Sequence, residues 1–157
     1  MRTIALTASI ALLLDQLSKW YVLSVLKLDD IGDMPVWPPF IHFHMAWNKG
    51  VNFGLFGNDS QVMPYVLIAL SLLISAAVLW WLRRSTDLRA HISAGLLIGG
   101  ALGNSVDRFR FGAVADFLNM SCCGIENPYA FNVADIVIFA GALGLIFWGD
   151  VRSRKER

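Results

Sequence analysis

Four long apolar blocks set the pattern of the chain. Residues 3–26 are apolar apart from Asp15, Lys19 and a few uncharged polar residues. Residues 62–82 carry no charge. Residues 90–106 carry none, with Phe109 and Phe111 just beyond, and residues 129–149 are apolar except for Asn132 and Asp135. About 20 helical residues cross a hydrocarbon core, so each block is long enough, or nearly so, to span a bilayer. The pattern predicts an all-α membrane protein with four transmembrane helices in one domain over residues 1–157.

A different pattern lies between the first two blocks, in "VWPPFIHFHMAWNKGVNFGLFGN". Ile41, Phe43, Met45 and Trp47 alternate with His42 and His44, which predicts a strand with one face on lipid or on the helices. Trp37, Phe40, Phe43, Trp47, Phe53 and Phe56 give the stretch the aromatic density of a membrane interface. Gly50, Gly54 and Gly57 punctuate it as turns. A small extracytoplasmic β/loop element is therefore expected beside the four helices.

Composition supports a membrane protein. The 157 residues are 56% hydrophobic and 16% charged, where a soluble domain runs at roughly 45–50% and about 25%. Mean hydropathy is +0.55. Net charge of +1 gives no argument for nucleic acid, and three His and two Cys are too few for a metal-rich or disulfide-built domain. The first block has the charged start of a signal peptide at Arg2. However, "LLLDQLSKW" stands where a small-x-small cleavage site belongs, and apolar residues resume at 20–26. A spanning helix is the better reading.

Four crossings put Arg2, Arg83, Arg84, Arg89, Arg152, Arg154, Lys155 and Arg157 on one side, and Lys27, Lys49, Arg108 and Arg110 on the other. The positive-inside rule then places both termini in the cytoplasm.

Polar residues inside these blocks are costly and mark function or helix contact. Asp15, Ser18 and Lys19 share a helical face, as do Asn104, Asp107 and Arg108, and as do Asn132 and Asp135. Gly95, Gly99 and Gly103 have the spacing that lets helices approach closely. Asp15 with Lys19, and Asp107 with Arg108, read as structural ion pairs that join helices.

Asp116 and Asp135 lack a basic residue three or four positions away. The third and fourth helices are joined by a short outer loop, so they should be antiparallel neighbours. Two carboxylates brought together at low dielectric share a proton, as an aspartic peptidase requires. The same pair would also suit a proton or cation path. On spacing alone, peptidase and transporter both stand, with a lipid-binding scaffold as a third reading.

Four blocks taken together resemble the lipoprotein signal peptidase (signal peptidase II) family of bacterial aspartyl peptidases. They are "DQLSK" at 15–19, "NKGVNFG" at 48–54, "GGALGNSVDRFRFGAVADF" at 99–117 and "FNVAD" at 131–135. The resemblance implies an endopeptidase that cuts diacylglyceryl-modified prolipoproteins just before the lipidated Cys. It maps the catalytic dyad to Asp116 and Asp135. It maps supporting residues to Asp15, Lys19, Asn48, Gly50, Asn104, Arg108, Val114, Asn132 and Ala134. Asn48 and Arg108 are expected to position substrate, and Asn104 and Asn132 to orient the dyad. It implies no metal or cofactor, membrane lipids and prolipoproteins as partners, and a site near the periplasmic face of the inner membrane. A monomer is expected, although the sequence does not give the oligomeric state. Asn52 departs from the Ala common in the second block.

Other signals carry less. His42-x-His44 lacks a third metal ligand at suitable spacing. Cys122 and Cys123 are adjacent, which strains a disulfide. Glu126 reads as solvated, and the tail "RSRKER" reads as a topology signal.

Overall fold

The computed structural model describes residues 1–50, 62–121 and 127–149. The elements run α1 (Arg2–Trp20), a π-helical turn (Tyr21–Val25), α2 (Leu28–Ile31), β1 (Asp33–Trp37), β2 (Ile41–Asn48), α3 (Met63–Leu82), α4 (Leu88–Phe111), β3 (Val114–Met120) and α5 (Val133–Trp148). The expectations for Phe53, Phe56, Gly54, Gly57, Cys122, Cys123, Glu126 and the basic tail lie outside the described residues.

Helix α4 is the centre of the molecule, and α1, α3 and α5 pack on it. Asp87 starts it by accepting from the backbone N–H groups of Arg89 and Ala90 at 2.8 and 3.3 Å. Gly112, at φ 72°, ends it. The glycine spacing read from the sequence is the α1 contact. A Cβ at Gly95 would meet Thr7, one at Gly99 would lie 2.5 Å from the Ala8 carbonyl oxygen, and one at Gly103 would strike Asp15. Gly100 and Gly141 bring α5 equally close: their added Cβ atoms would lie 2.6 Å from the carbonyl oxygens of Ala134 and Ser93. The expected neighbouring of these two helices is observed.

Polarity is arranged inside out. Asp15, Lys19, Asn104 and Asp107 are buried. Leu6, Leu13, Leu73, Phe139, Ile146 and Phe147 are exposed. By length and composition α3 alone among the described helices could cross a membrane by itself, while α5 is apolar but shorter, at 16 residues.

The predicted strand is β2. It lies between β1 and β3 in an antiparallel sheet of order β1-β2-β3. Phe43 and Met45 of the expected apolar face pack with Val22, Leu28 and Phe117, while a register irregularity between Phe43 and Ala46 interrupts the alternation and Trp47 is exposed. Two boundaries differ from the sequence reading. The first helix changes to a π-helical turn at Tyr21, and the third runs on to Phe111. The chain carrying Asp116 forms β3, a strand buried along most of its length. Such a strand shows no alternation for a sequence reading to detect.

Candidate active site

The N-terminus of α5 is built around Asn132 and Asp135. Asn132 Oδ1 accepts the backbone N–H of Asp135 at 3.0 Å, and the backbone N–H of Asn132 donates to Asp135 Oδ2 at 3.2 Å. This is a capping box with Asn and Asp in its two roles. Asp15, on α1, clamps the same helix end by accepting the backbone N–H of Ala134 at 2.9 Å. Ala134 is fully buried there.

Asp116 arrives from the sheet. Pairing of Asn48 with Val114 sets the register and brings the end of β2 beside Asp116. Asn48 Nδ2 donates to Asp116 Oδ2 at 3.1 Å. Gly50 fixes that amide: at φ 90° its N–H donates to Asn48 Oδ1 at 2.9 Å, leaving Nδ2 for Asp116. Asn48, expected from the sequence to position substrate, thus hydrogen-bonds Asp116.

Asn132 and Asn104 join the two carboxylates. Asn132 Nδ2 donates to Asp116 Oδ1 at 2.6 Å and to Asn104 Oδ1 at 3.2 Å. Asn104 Nδ2 donates to Asp135 Oδ1 at 3.0 Å. Lys19 Nζ donates to Asn104 Oδ1 at 3.1 Å, which turns the Asn104 amide so that its N–H groups face Asp135. Each of the two asparagines, expected from the sequence to orient the dyad, thus donates to one of the two carboxylates through its side-chain amide. Burial pushes Asp116 up to about 6, and Asp135 adds to the rise, while the Asn48 and Asn132 hydrogen bonds and Lys19 oppose it.

A charged cluster supports these amides. Lys19 Nζ lies 2.9 Å from Asp15 Oδ2 and 2.7 Å from Asp107 Oδ2. Asp107 thus pairs with Lys19 and not with Arg108, because adjacent helical residues point about 100° apart. Gln16 is absent from the sequence reading, and Asp107 has a different partner there. Asp107 also accepts the backbone N–H of Ala115 at 3.2 Å, tying α4 to β3. Gln16 Nε2 donates to Asp15, Asp107 and the Gly103 carbonyl at 3.1, 3.1 and 3.3 Å. The signal for Gln16 was its place inside the quoted "DQLSK".

Arg108 interacts electrostatically with Asp116, Asp135 and Asp107. Nη1 donates to the Asn104 carbonyl at 3.4 Å, and Nε is buried with no hydrogen-bond partner. His42 and His44 lie elsewhere, in an outer cleft with Asp33 and Asn119. Among the described residues no three His, Cys, Asp or Glu are grouped to hold a metal ion.

Residues 7–149 match the family model described as Signal peptidase (SPase) II. The chain is 37% identical over 156 residues to a lipoprotein signal peptidase of Nitrobacter hamburgensis, covering 98% of this chain and 94% of that one. It is 38% identical over 145 residues to one of Rhodopseudomonas palustris, covering 90% and 88%. A solved structure described as "Bacterial membrane enzyme structure by the in meso method at 2.3 A resolution" aligns with a TM-score of 0.76 at 25% identity, over 100% of this chain and 94% of that one. The family match begins within α1 and runs past α5, so it takes in every residue of the carboxylate–asparagine network, and the chain belongs to the signal peptidase II family of enzymes.

Proposed function

We propose that this chain removes the signal peptide from diacylglyceryl-modified prolipoproteins, cutting just before the lipidated Cys with a water activated between Asp116 and Asp135. The observation that carries this reading is Asn132, which hydrogen-bonds both carboxylates from one residue. Ionised Asp135 takes a proton from water, whose oxygen attacks the scissile carbonyl carbon. Protonated Asp116 donates to the carbonyl oxygen. As the C–N bond breaks, the proton on Asp135 passes to the leaving nitrogen, and the proton on the former carbonyl oxygen returns to Asp116. The products are the signal peptide's carboxyl end and the free amine of the lipidated Cys. The rise of Asp116 to about 6 supports giving it the acid role. The unpaired Arg108 Nε is suited to a substrate carbonyl or glyceryl oxygen.

The chain spans the inner membrane four times, with both termini cytoplasmic and the dyad near the periplasmic face. In support, α1, α3 and α5 turn large apolar residues outward while α4 is buried among them. Arg83 and Arg84 sit at the short turn between α3 and α4, the expected cytoplasmic side. The substrate, itself an apolar segment with a lipid tail, enters sideways from the bilayer. A transport path is disfavoured, because α4 meets α5 backbone against backbone at Gly141, inward of the polar network.

Purified protein given a diacylglyceryl-modified prolipoprotein should cleave before the lipidated Cys, while folded Asp116→Asn and Asp135→Asn should not. Cleavage by either variant would remove the dyad assignment. A folded parent that leaves a competent substrate whole would remove the peptidase reading for this substrate.

A further inference from the structure

A second concavity, of about 380 Å³, lies between the outer end of α1, the π-helical turn and the outer end of α4. Neither dyad carboxylate lines it. Its inner wall is polar, with Gln16, Lys19 and Asp107 held in their own network. Its outer wall is aromatic. Trp47 stacks obliquely on Phe111 with ring centroids 5.3 Å apart, and Trp20 is 59% exposed at the edge.

Two opposite charges stand at the rim. Arg110 lies with its guanidinium 4.9 Å from the Phe111 ring centroid, and Asp29 accepts the Trp47 indole N–H at 2.8 Å. No ion pair within 4 Å joins them to each other or to another described residue. From this rim an exposed apolar stripe, Trp20, Leu17 and Leu13, runs back along α1.

We infer that this groove binds a bilayer phospholipid with an ethanolamine headgroup. The phosphate meets Arg110, the ammonium meets Asp29, the glycerol region lies among the aromatic rings, and one acyl chain follows the α1 stripe. A zwitterionic head fits the two separate charges. An anionic glycerol head leaves Asp29 without a cation, and a choline head cannot donate a hydrogen bond to it. The inference rests on the bilayer placement proposed above. The bound lipid would sit directly against Lys19, which holds Asn104 and through it Asp135.

The test is native mass spectrometry of the detergent-purified chain with phosphatidylethanolamine, phosphatidylcholine and phosphatidylglycerol of identical acyl chains. The ethanolamine lipid should be retained about two- to fivefold over the other two, the range of one solvent-exposed ion pair. Asp29→Asn, which still accepts the Trp47 N–H, should abolish that preference. Arg110→Gln should lower retention of all three. Equal retention of the three heads, or an unchanged order in Asp29→Asn, overturns the proposal. So does an Arg110→Gln variant that retains lipid normally but raises KM for prolipoprotein, since the groove would then receive the substrate's own lipid. Cleavage by the same parent preparation is read in parallel, so loss of peptidase activity with lipid preference intact falls on the proposed function alone. A chain that stays soluble and folded without detergent falls on the bilayer placement.

Discussion

Nδ2 of Asn132 lies 2.6 Å from Oδ1 of Asp116, across the junction between α5 and the sheet. The backbone N–H of Asn132 is given to Asp135. One residue therefore fixes the relative position of two carboxylates that arise 19 residues apart (135 − 116). Asn132→Ala should lower kcat by about 100-fold, as small misplacements of reacting groups do. It should also loosen α5, because it removes the cap. Asn132→Ser keeps a capping oxygen but has no side-chain amide N–H for Asp116, and should restore Tm but not kcat. Recovery of both by Ser would show that the cap alone matters.

The rise of Asp116 gives a pH dependence whose sign can be worked out. Its carboxyl holds a proton up to about 6 in the folded chain and to 3.8 in the unfolded chain. The folded state therefore binds more protons between those values, and stability falls as pH rises from about 4 to about 6. Asp116→Asn should lack that slope in a series of melting curves. With Asp116 as the acid, kcat/KM of the parent should fall as pH rises through about 6. Asn48→Ala removes a hydrogen bond that favours the ionised form, so it should move this limb upward. A limb that stays in place would detach it from Asp116.

Lys19 is the sole cation among the described residues within 4 Å of Asp15 and of Asp107. Lys19→Met should cost about 3–5 kcal/mol, since it leaves buried carboxylates without a counter-ion. Adding Asp107→Asn should recover part of that loss. Thermal unfolding in detergent reads both, and a Lys19→Met variant as stable as the parent would contradict the pairing.

The two glycine contacts with α1 should behave differently. Gly99→Ala presses on the Ala8 carbonyl and Ala11, neither of which belongs to the carboxylate–asparagine network. It should lower Tm with an overpacking cost of roughly 1–3 kcal/mol, and the folded fraction should keep its kcat. Gly103→Ala presses on Asp15, which holds the start of α5. It should lower kcat as well as Tm. Equal loss of kcat in both would mean that Asp15 transmits nothing to the dyad.

Much of this was legible in the residues. The apolar blocks located the long helices, the spacing of Gly95, Gly99 and Gly103 marked the α1 contact, and the alternation at residues 41–47 marked β2. Resemblance singled out Asp116 and Asp135, and the geometry links both through Asn132. The illegible parts share a cause. Asn48 reaches Asp116 only because β2 pairs with β3 in one particular register, and a shift of one residue would turn it away. Lys19 reaches Asp107 across two helices, which no local spacing encodes, so Asp107 was matched to its sequence neighbour Arg108 instead. Gln16, uncharged between a charged pair, carries no signal of its own in the sequence although it bridges both acids.

Helix α4 gives most of its surface to its neighbours: glycines face α1 and α5, and Asp107 in its outer turn is neutralised from α1 by Lys19. On the proposed topology such a segment has little to offer lipid when it first leaves the ribosome. Its residence in the bilayer depends on α1 being there already, with the ammonium of Lys19 waiting for Asp107. Biogenesis and catalysis thus draw on the same ion pair. A substitution at residue 19 or 107 should appear first in a cell as failed insertion and loss of the chain, before any defect in turnover could be measured.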